Sequence, residues 1–212
     1  KRMVQSGHLT EREIIKAIFL MLSIAVVIGL YLVKQGGLPI LLIGLSSFCF
    51  AYLYTATKFS IAYNGLGEIF VFLYFGIIAT MGTFYLQTLK FNYNVLLLGV
   101  IAGCLNVCLL IINNLRDIKQ DTKSNKKTLV VILGERFGKL EFILINLIPF
   151  IILFNSNFFI KYNSGIYVLI VVALYIVWNI LFKNNFLSNK ALPLMSFYIV
   201  MFSTFLIYLI LK

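Results

Sequence analysis

Two aspartates, Asp117 and Asp121, are the only ones in the chain, and they stand one helical turn apart after a long apolar run. Together with Asn113 they occupy positions i, i+4 and i+8, so a helix would present all three side chains on one face. Two carboxylates at this spacing repel each other unless a cation lies between them, and oxygen ligands suit Mg²⁺. Mg²⁺ usually takes one or two protein carboxylates and shares its other positions with water and substrate phosphates. The spacing therefore predicts a magnesium-dependent diphosphate site.

Basic residues surround this pair. Arg116 precedes Asp117, and Lys126 and Lys127 follow a few residues later, where they would hold phosphate oxygens as point charges. The simple alternative is a solvated polar loop, and we expect residues 116–135 to be the largest polar loop of the chain. The chain has only seven Asp and Glu among 212 residues, which weighs against a decorative role for its two aspartates.

The composition predicts a polytopic membrane protein. The chain is 61% hydrophobic and 12% charged, with a mean hydropathy of +0.99, and it lacks the alternating pattern of a membrane β-barrel. Seven apolar runs are about long enough to cross a bilayer: residues 17–33, 38–57, 69–89, 91–115, 142–160, 162–182 and 191–211. We expect an all-α membrane helical bundle, with a tight turn at residues 34–39 and a capping box from Thr10 to Glu13 opening the first helix.

The charges predict an orientation. When seven spans are threaded through a membrane, the loops on the side of the N-terminus collect fourteen Lys and Arg and the opposite loops collect four. This asymmetry places the first side in the cytoplasm. All seven acids fall on the same side, so we expect the chemistry at the cytoplasmic face of a cell membrane. The net charge of +11 is explained by this topology rather than by nucleic-acid binding.

Further candidates flank the third span. Glu68 begins that span, where an acid is costly unless it faces a cavity, a partner or water. The dipole of a helix N-terminus is the alternative reason for an acid there. Tyr54, Tyr63 and Asn64 cluster near the same point. In the fourth span, Gly99 and Gly103 predict close helix packing, whereas the single histidine and the three cysteines inside spans support neither a zinc site nor a disulfide framework.

These residues resemble the intramembrane aromatic prenyltransferases of the UbiA type, and among them the 1,4-dihydroxy-2-naphthoate polyprenyltransferases. The likeness is carried by residues 67–72 with 75–76, by residues 82–88, by residues 113–129 and by residues 2–7, which resemble the segment after the first motif of that family. The likeness is weak beyond residue 138. Asn125 stands where the family often has glycine.

The resemblance implies a bundle of nine helices with two Asp-rich motifs on facing cytoplasmic loops. We therefore expect residues 1–212 to be a single prenyltransferase domain that contains seven of nine helices and lacks the first two helices and the first motif. The opening residues look like an interhelical loop rather than a natural start.

By the same resemblance, the reaction is Mg²⁺-dependent transfer of a polyprenyl chain from its diphosphate to 1,4-dihydroxy-2-naphthoate in a membrane, with loss of carbon dioxide to give demethylmenaquinone. We expect Asp117, Asp121, Arg116 and Glu68 to be the catalytic residues, with the two aspartates as metal ligands. We expect the substrates to be bound by Arg2, Asn113, Lys126, Lys127, Tyr63, Asn64 and Tyr54.

Three alternatives stay open. A sister enzyme acting on 4-hydroxybenzoate or haem would keep the mechanism and change the acceptor. A transporter would place ionisable residues or broken helices near the membrane centre, and no acid or base lies inside a predicted span. A phospholipid-synthesising phosphotransferase would carry a denser Asp-Gly motif, which the sequence lacks.

Overall fold

The structure is a computed structural model that describes residues 10–55, 61–155, 163–182 and 191–211. Within these residues every regular element is a helix, and the one extended contact is an isolated bridge between Asn64 and Lys127. These helices confirm the expected all-α fold. Backbone groups in a membrane must be satisfied within their own segment or by closed strand pairing, so apolar runs of this length become helices.

The first helix, α1, covers Glu11–Thr55 and bends sharply at Gly37, whose φ of 66° and ψ of −149° are not helical. Val26 and Phe48, which lie equally far before and after Gly37, line one cavity of about 510 Å³. In a straight helix they would be about 33 Å apart, so the two halves fold back toward each other. The helix α1 thus contains both of the first two predicted spans and the predicted turn between them. At its start, the Glu13 carboxylate accepts a hydrogen bond of 2.8 Å from the Thr10 amide, as the capping box predicts.

The remaining helices follow the predicted spans. The third span is one continuous unit made of α2 (Gly67–Val71), a π-helical segment (Phe72–Ile78) and α3 (Ala79–Thr88); after it come α4 (Tyr93–Lys123), the short α5 (Leu129–Leu133), α6 (Glu135–Asn155), α7 (Asn163–Phe182) and α8 (Ala191–Leu211). Five of the described helical units are long and apolar enough to cross a membrane, α1 being counted once, and α7 adds a shorter apolar stretch over Gly165–Asn179. The chain is a multi-pass membrane protein.

The helix α4 lies at the centre of the described bundle and contacts the π-helical segment, α3, α5, α6 and α8. The π-helical segment crosses it at backbone distance, because a Cβ atom added to Gly103 would lie 2.8 Å from the carbonyl oxygen of Phe72. At Gly99 such an atom would lie 3.0 Å from the Cα atom of Ile77. The predicted close packing through these two glycines is confirmed.

On its other side α4 shares a buried core with α6 and α8. Ile111 and Leu115 of α4, Phe142 of α6 and Tyr198 of α8 are completely buried in this core. The Tyr198 hydroxyl donates a hydrogen bond of 3.3 Å to the Oδ1 atom of Asn146 on α6, which joins two buried polar groups across the helices. This packing holds α4, and with it the aspartate pair, in a fixed position.

Candidate active site

The aspartates lie on the last turns of α4. Residues 113, 117 and 121 are all helical, so the predicted register of Asn113, Asp117 and Asp121 on one face is confirmed. The expectation of a single polar loop over residues 116–135 is wrong. The helix α4 continues two turns past Leu115, and α5 occupies much of the remainder. The hydrogen bonds of the helix backbone therefore fix the spacing of the two carboxylates.

A residue with a left-handed backbone conformation follows the end of α4. Asn125 has a φ of 55°, and its amide donates to the carbonyl of Thr122 while the amide of Lys126 donates to the carbonyl of Asp121 at 2.9 Å. This pair of bonds is the Schellman pattern, whose left-handed position favours glycine or asparagine. It explains why asparagine is acceptable where the family often has glycine. The turn also brings the Lys126 side chain back over the helix end.

Each aspartate is paired with a cation from its own segment. The Nε and Nη2 atoms of Arg116 donate to the two carboxylate oxygens of Asp117, both at 2.8 Å, and Nη2 also donates to Asn113. The ammonium group of Lys126 donates to Asp121 at 2.9 Å. The side chain of Asp117 is 31% exposed and that of Asp121 is 10% exposed. Two carboxylates and two cations therefore form one compact, partly shielded cluster.

The loop after α1 docks against the loop after α4. The amide of Lys127 donates to the carbonyl of Tyr63 at 3.1 Å, and Asn64 and Lys127 form the isolated bridge. Gly65, with a φ of 71°, turns the chain beside this bridge. Tyr63, Asn64 and Lys127 are exposed, and their backbones support the position of Lys126. The structure thus brings these predicted residues to the cluster, and for Lys127 the contact that it shows is made by the main chain.

Glu68 faces α4 at the start of α2 and is buried. It accepts a hydrogen bond of 2.8 Å from the side-chain amide of Asn114, and it interacts electrostatically with Lys126. Tyr54 interacts electrostatically with the same two charged groups, Glu68 and Lys126. Glu68 and Tyr54 therefore lie near Lys126 of the aspartate cluster. Arg2 lies outside the described residues.

Two polar residues near the cluster were missed by the sequence reasoning. Asn114 is the buried partner of Glu68, and its place directly after Asn113 in the motif was the available signal. Glu141 lies on α6, and it interacts electrostatically with Glu68. The sequence placed Glu141 only among the acids of the cytoplasmic side, and no local pattern indicates that it turns inward.

The donor set of the cluster fits a hard divalent cation. Asp117 and Asp121 offer carboxylate oxygens one turn apart, which is the number of carboxylates that Mg²⁺ commonly takes when phosphate and water complete its shell. Among the described residues no group of three His, Cys, Asp or Glu side chains forms a metal site. This chain's described residues would therefore supply two metal ligands and two cations for an anionic substrate.

Comparisons with known proteins agree with this arrangement. Residues 1–208 match the UbiA prenyltransferase family. The chain is 37% identical over 134 residues to a 1,4-dihydroxy-2-naphthoate octaprenyltransferase of Mycobacterium leprae, covering 63% of this chain and 46% of the relative. It is 34% identical over 144 residues to the enzyme of the same name from Haemophilus influenzae, covering 65% and 47%.

A third relative is named for a different prenyl transfer. The chain is 31% identical over 97 residues to a 2-carboxy-1,4-naphthoquinone phytyltransferase of Synechocystis, covering 46% of this chain and 31% of the relative. The chain thus spans less than half the length of these curated relatives. No solved structure matches it significantly. Since the family match extends over nearly every helix and includes the aspartate cluster of α4, the chain belongs to the UbiA prenyltransferase family.

Proposed function

We propose that the protein transfers a polyprenyl chain from its diphosphate to 1,4-dihydroxy-2-naphthoate, with loss of carbon dioxide, to form the prenylated naphthoquinol that gives demethylmenaquinone when it is later oxidised. The observation that carries the proposal is the cluster of Asp117, Asp121, Arg116 and Lys126 at the end of a membrane-crossing helix. Such a cluster can bind a metal-complexed diphosphate while the apolar part of the substrate remains in the membrane. The names of the relatives from Mycobacterium leprae and Haemophilus influenzae support 1,4-dihydroxy-2-naphthoate as the acceptor.

The acceptor ring is better supported than the length of the donor chain. The names of the relatives share a carboxylated naphthalene ring system as acceptor, whereas the transferred group is octaprenyl in one and phytyl in another. A naphthoate acceptor is therefore the central part of the proposal, and the donor is a polyprenyl diphosphate of unspecified length.

Each polar residue of the cluster has a role in this reaction. Asp117 and Asp121 would hold Mg²⁺, which when bound neutralises the diphosphate and makes it a better leaving group. Arg116 and Lys126 stabilise the charge that grows on the diphosphate as the carbon–oxygen bond breaks and its electron pair stays with oxygen. Asn113 orients Arg116, since its Oδ1 atom accepts a hydrogen bond from that guanidinium.

The new bond forms between the allylic carbon of the donor and the ring carbon that carries the carboxylate. The electron pair of the bond to the departing carbon dioxide then restores the aromatic ring, so atoms and charge balance without another reactant. Glu68 is held by Asn114, and we propose that the acceptor lies beside it, next to the diphosphate. Burial of this region limits access of water to the allylic cation.

The apolar chain of the donor needs a hydrophobic path away from the charges. Phe50, Phe70 and Tyr74 form an aromatic cluster with ring centroids 4.8 to 6.4 Å apart. Tyr74 also lines the apolar cavity of about 510 Å³ between the halves of α1 and α3. We propose that the polyprenyl tail passes this aromatic cluster, whose ring faces can also stabilise positive charge. The excess of Lys and Arg on one side supports a cytoplasmic position for the cluster.

The proposal is tested in membranes that contain the protein, supplied with Mg²⁺, a polyprenyl diphosphate and either 1,4-dihydroxy-2-naphthoate or 4-hydroxybenzoate. We expect a prenylated naphthoquinol from the first acceptor only, and we expect Asp117→Asn or a chelator to abolish it. Product from 4-hydroxybenzoate alone would assign the protein to a sister activity. If the diphosphate stays intact with both acceptors, the proposed reaction is wrong.

A further inference from the structure

Three glycines line the apolar cavity between the two halves of α1 and α3: Gly29, Gly44 and Gly82. A Cβ atom added to Gly29 or Gly44 would meet no atom within 4 Å, and at Gly82 it would meet only the side chain of Ile43, at 3.5 Å. A glycine inside a helix is less stable than an alanine, and in membrane helices it usually permits close contact between two backbones. Among the described residues these three glycines make no such contact. What they provide is space inside the cavity.

The lining of this cavity suits a hydrocarbon. Its volume of about 510 Å³ lies within the range of about 300–1,000 Å³ that is usual for ligand pockets. The hydroxyls of Ser47 and Thr83 donate to carbonyls of their own helices, each at 2.7 Å, so neither is left unpaired. Apart from Tyr74 at one end, the other lining residues have no polar side chain. A ligand of this cavity therefore needs no polar groups.

The cavity is long and closed at one end. Its lining extends along the third span from Tyr74 to Leu86, which is about 18 Å of helix. At the far end a Cβ atom on Gly36 would lie 3.1 Å from the side chain of Leu86 and closer still to that of Ile40. These three residues pack together directly before and after the turn at Gly37. Ile40 and Leu86 therefore close the cavity beside this turn.

The other end of the cavity leads toward the aspartate cluster. The ring of Tyr74 stacks with that of Phe70 at a centroid distance of 6.4 Å, and Phe70 lies two residues after Glu68. The π-helical segment that contains Tyr74 crosses α4 at Gly103, which is about 21 Å along the helix from Asp117. A chain bound by its diphosphate at Asp117 would thus extend about 21 Å before it enters the cavity.

We propose that this cavity holds the distal isoprene units of the donor and that its closed end limits the length of the chain. This inference rests on the proposed function and makes Gly82 and Leu86 specificity-determining residues. The relatives named for octaprenyl and phytyl transfer show that the transferred chain differs within the family. The eight main-chain carbon atoms of geranyl diphosphate span at most about 11 Å and cannot reach the cavity. An octaprenyl chain is four times as long and reaches its closed end.

The test measures kcat/KM for geranyl, octaprenyl and decaprenyl diphosphates with 1,4-dihydroxy-2-naphthoate and Mg²⁺, using the protein in lipid nanodiscs. Ratios between donors are compared within each variant, so they do not depend on the folded fraction. In Gly82→Leu the new side chain fills the cavity, and the octaprenyl-to-geranyl ratio should fall about 10-fold or more. Leu86→Ala opens the closed end, so the decaprenyl-to-octaprenyl ratio should rise a few-fold. Ala25→Leu adds similar bulk at an exposed position outside the cavity and should keep the wild-type ratios.

The tail does not enter the cavity if Gly82→Leu keeps the wild-type ratio or impairs both donors equally. The closed end does not set the length if Leu86→Ala leaves the decaprenyl-to-octaprenyl ratio unchanged.

Binding of the corresponding thiolodiphosphates, whose carbon–sulfur bond stays intact, separates the cavity from the reaction. If their affinity depends on length in the wild type but not in Gly82→Leu, and no naphthoate is prenylated, the proposed function fails and the assignment of the cavity stands. If the naphthoate is prenylated and Gly82→Leu binds every analogue as the wild type does, the cavity is wrongly assigned and the proposed function stands.

Discussion

The crossing of the π-helical segment over α4 gives a quantitative stability test. In Gly103→Ala the new methyl group would lie 2.8 Å from the carbonyl oxygen of Phe72, whereas ordinary van der Waals contact begins at 3.4 Å. The obstacle is main chain and cannot rotate away, so the two helices must separate by about 0.6 Å. Overpacking of this kind costs about 1–3 kcal/mol.

Gly44→Ala is the matched control, since it also places alanine inside a helix but meets no atom within 4 Å. Replacing a helical glycine by alanine without a clash stabilises by about 0.5–1 kcal/mol. The two variants should therefore differ by about 1.5–4 kcal/mol. The measurement is equilibrium unfolding with SDS in detergent micelles, followed by helical circular dichroism. Equal or greater stability of Gly103→Ala would refute the close backbone contact.

Three further predictions concern the site and its support. Asp117→Asn should lower kcat/KM by about 10²-fold or more, since a metal ligand and the partner of a guanidinium are lost, and Mg²⁺ titration should not restore it. Asn125→Gly should be tolerated, whereas Asn125→Val should raise the diphosphate KM because a β-branched residue resists the left-handed turn that positions Lys126. Tyr198→Phe leaves the buried Asn146 without its donor and should cost about 1–3 kcal/mol in the same SDS assay, with the substrate KM values unchanged.

Much of the fold was predictable from sequence because the membrane leaves few alternatives. Long apolar runs can satisfy their backbone groups only as helices, so the spans and the turn at Gly37 could be read directly. The position of Asp117 and Asp121 on one face was also predictable, since the register of residues within one helix depends only on their spacing in the sequence. Gly103 likewise indicated close helix packing, although the sequence did not show that its contact would be Phe72.

The features that escaped prediction depend on contacts between distant segments. The end of α4 was placed too early because polarity was taken as the end of the helix, whereas the helix stops only at the left-handed Asn125. Glu141 lies one residue before a predicted span, and its electrostatic interaction with Glu68 depends on the packing of α6 against α4, which the sequence does not show. Sequence periodicity fixes which residues share a face of one helix, and it does not fix which neighbour that face meets.

The pairing within the cluster has a consequence for the proposed reaction. Arg116 and Lys126 neutralise Asp117 and Asp121 in this structure, so the partly shielded carboxylates do not repel each other. A metal-complexed diphosphate brings its own cation for the carboxylates and its own anion for the basic side chains. Both ion pairs can therefore exchange partners with little change in the net charge of the site. The short segment between Asn113 and Lys126 thus keeps its charges compensated before and after substrate binding, and its helix keeps the aspartates in register throughout.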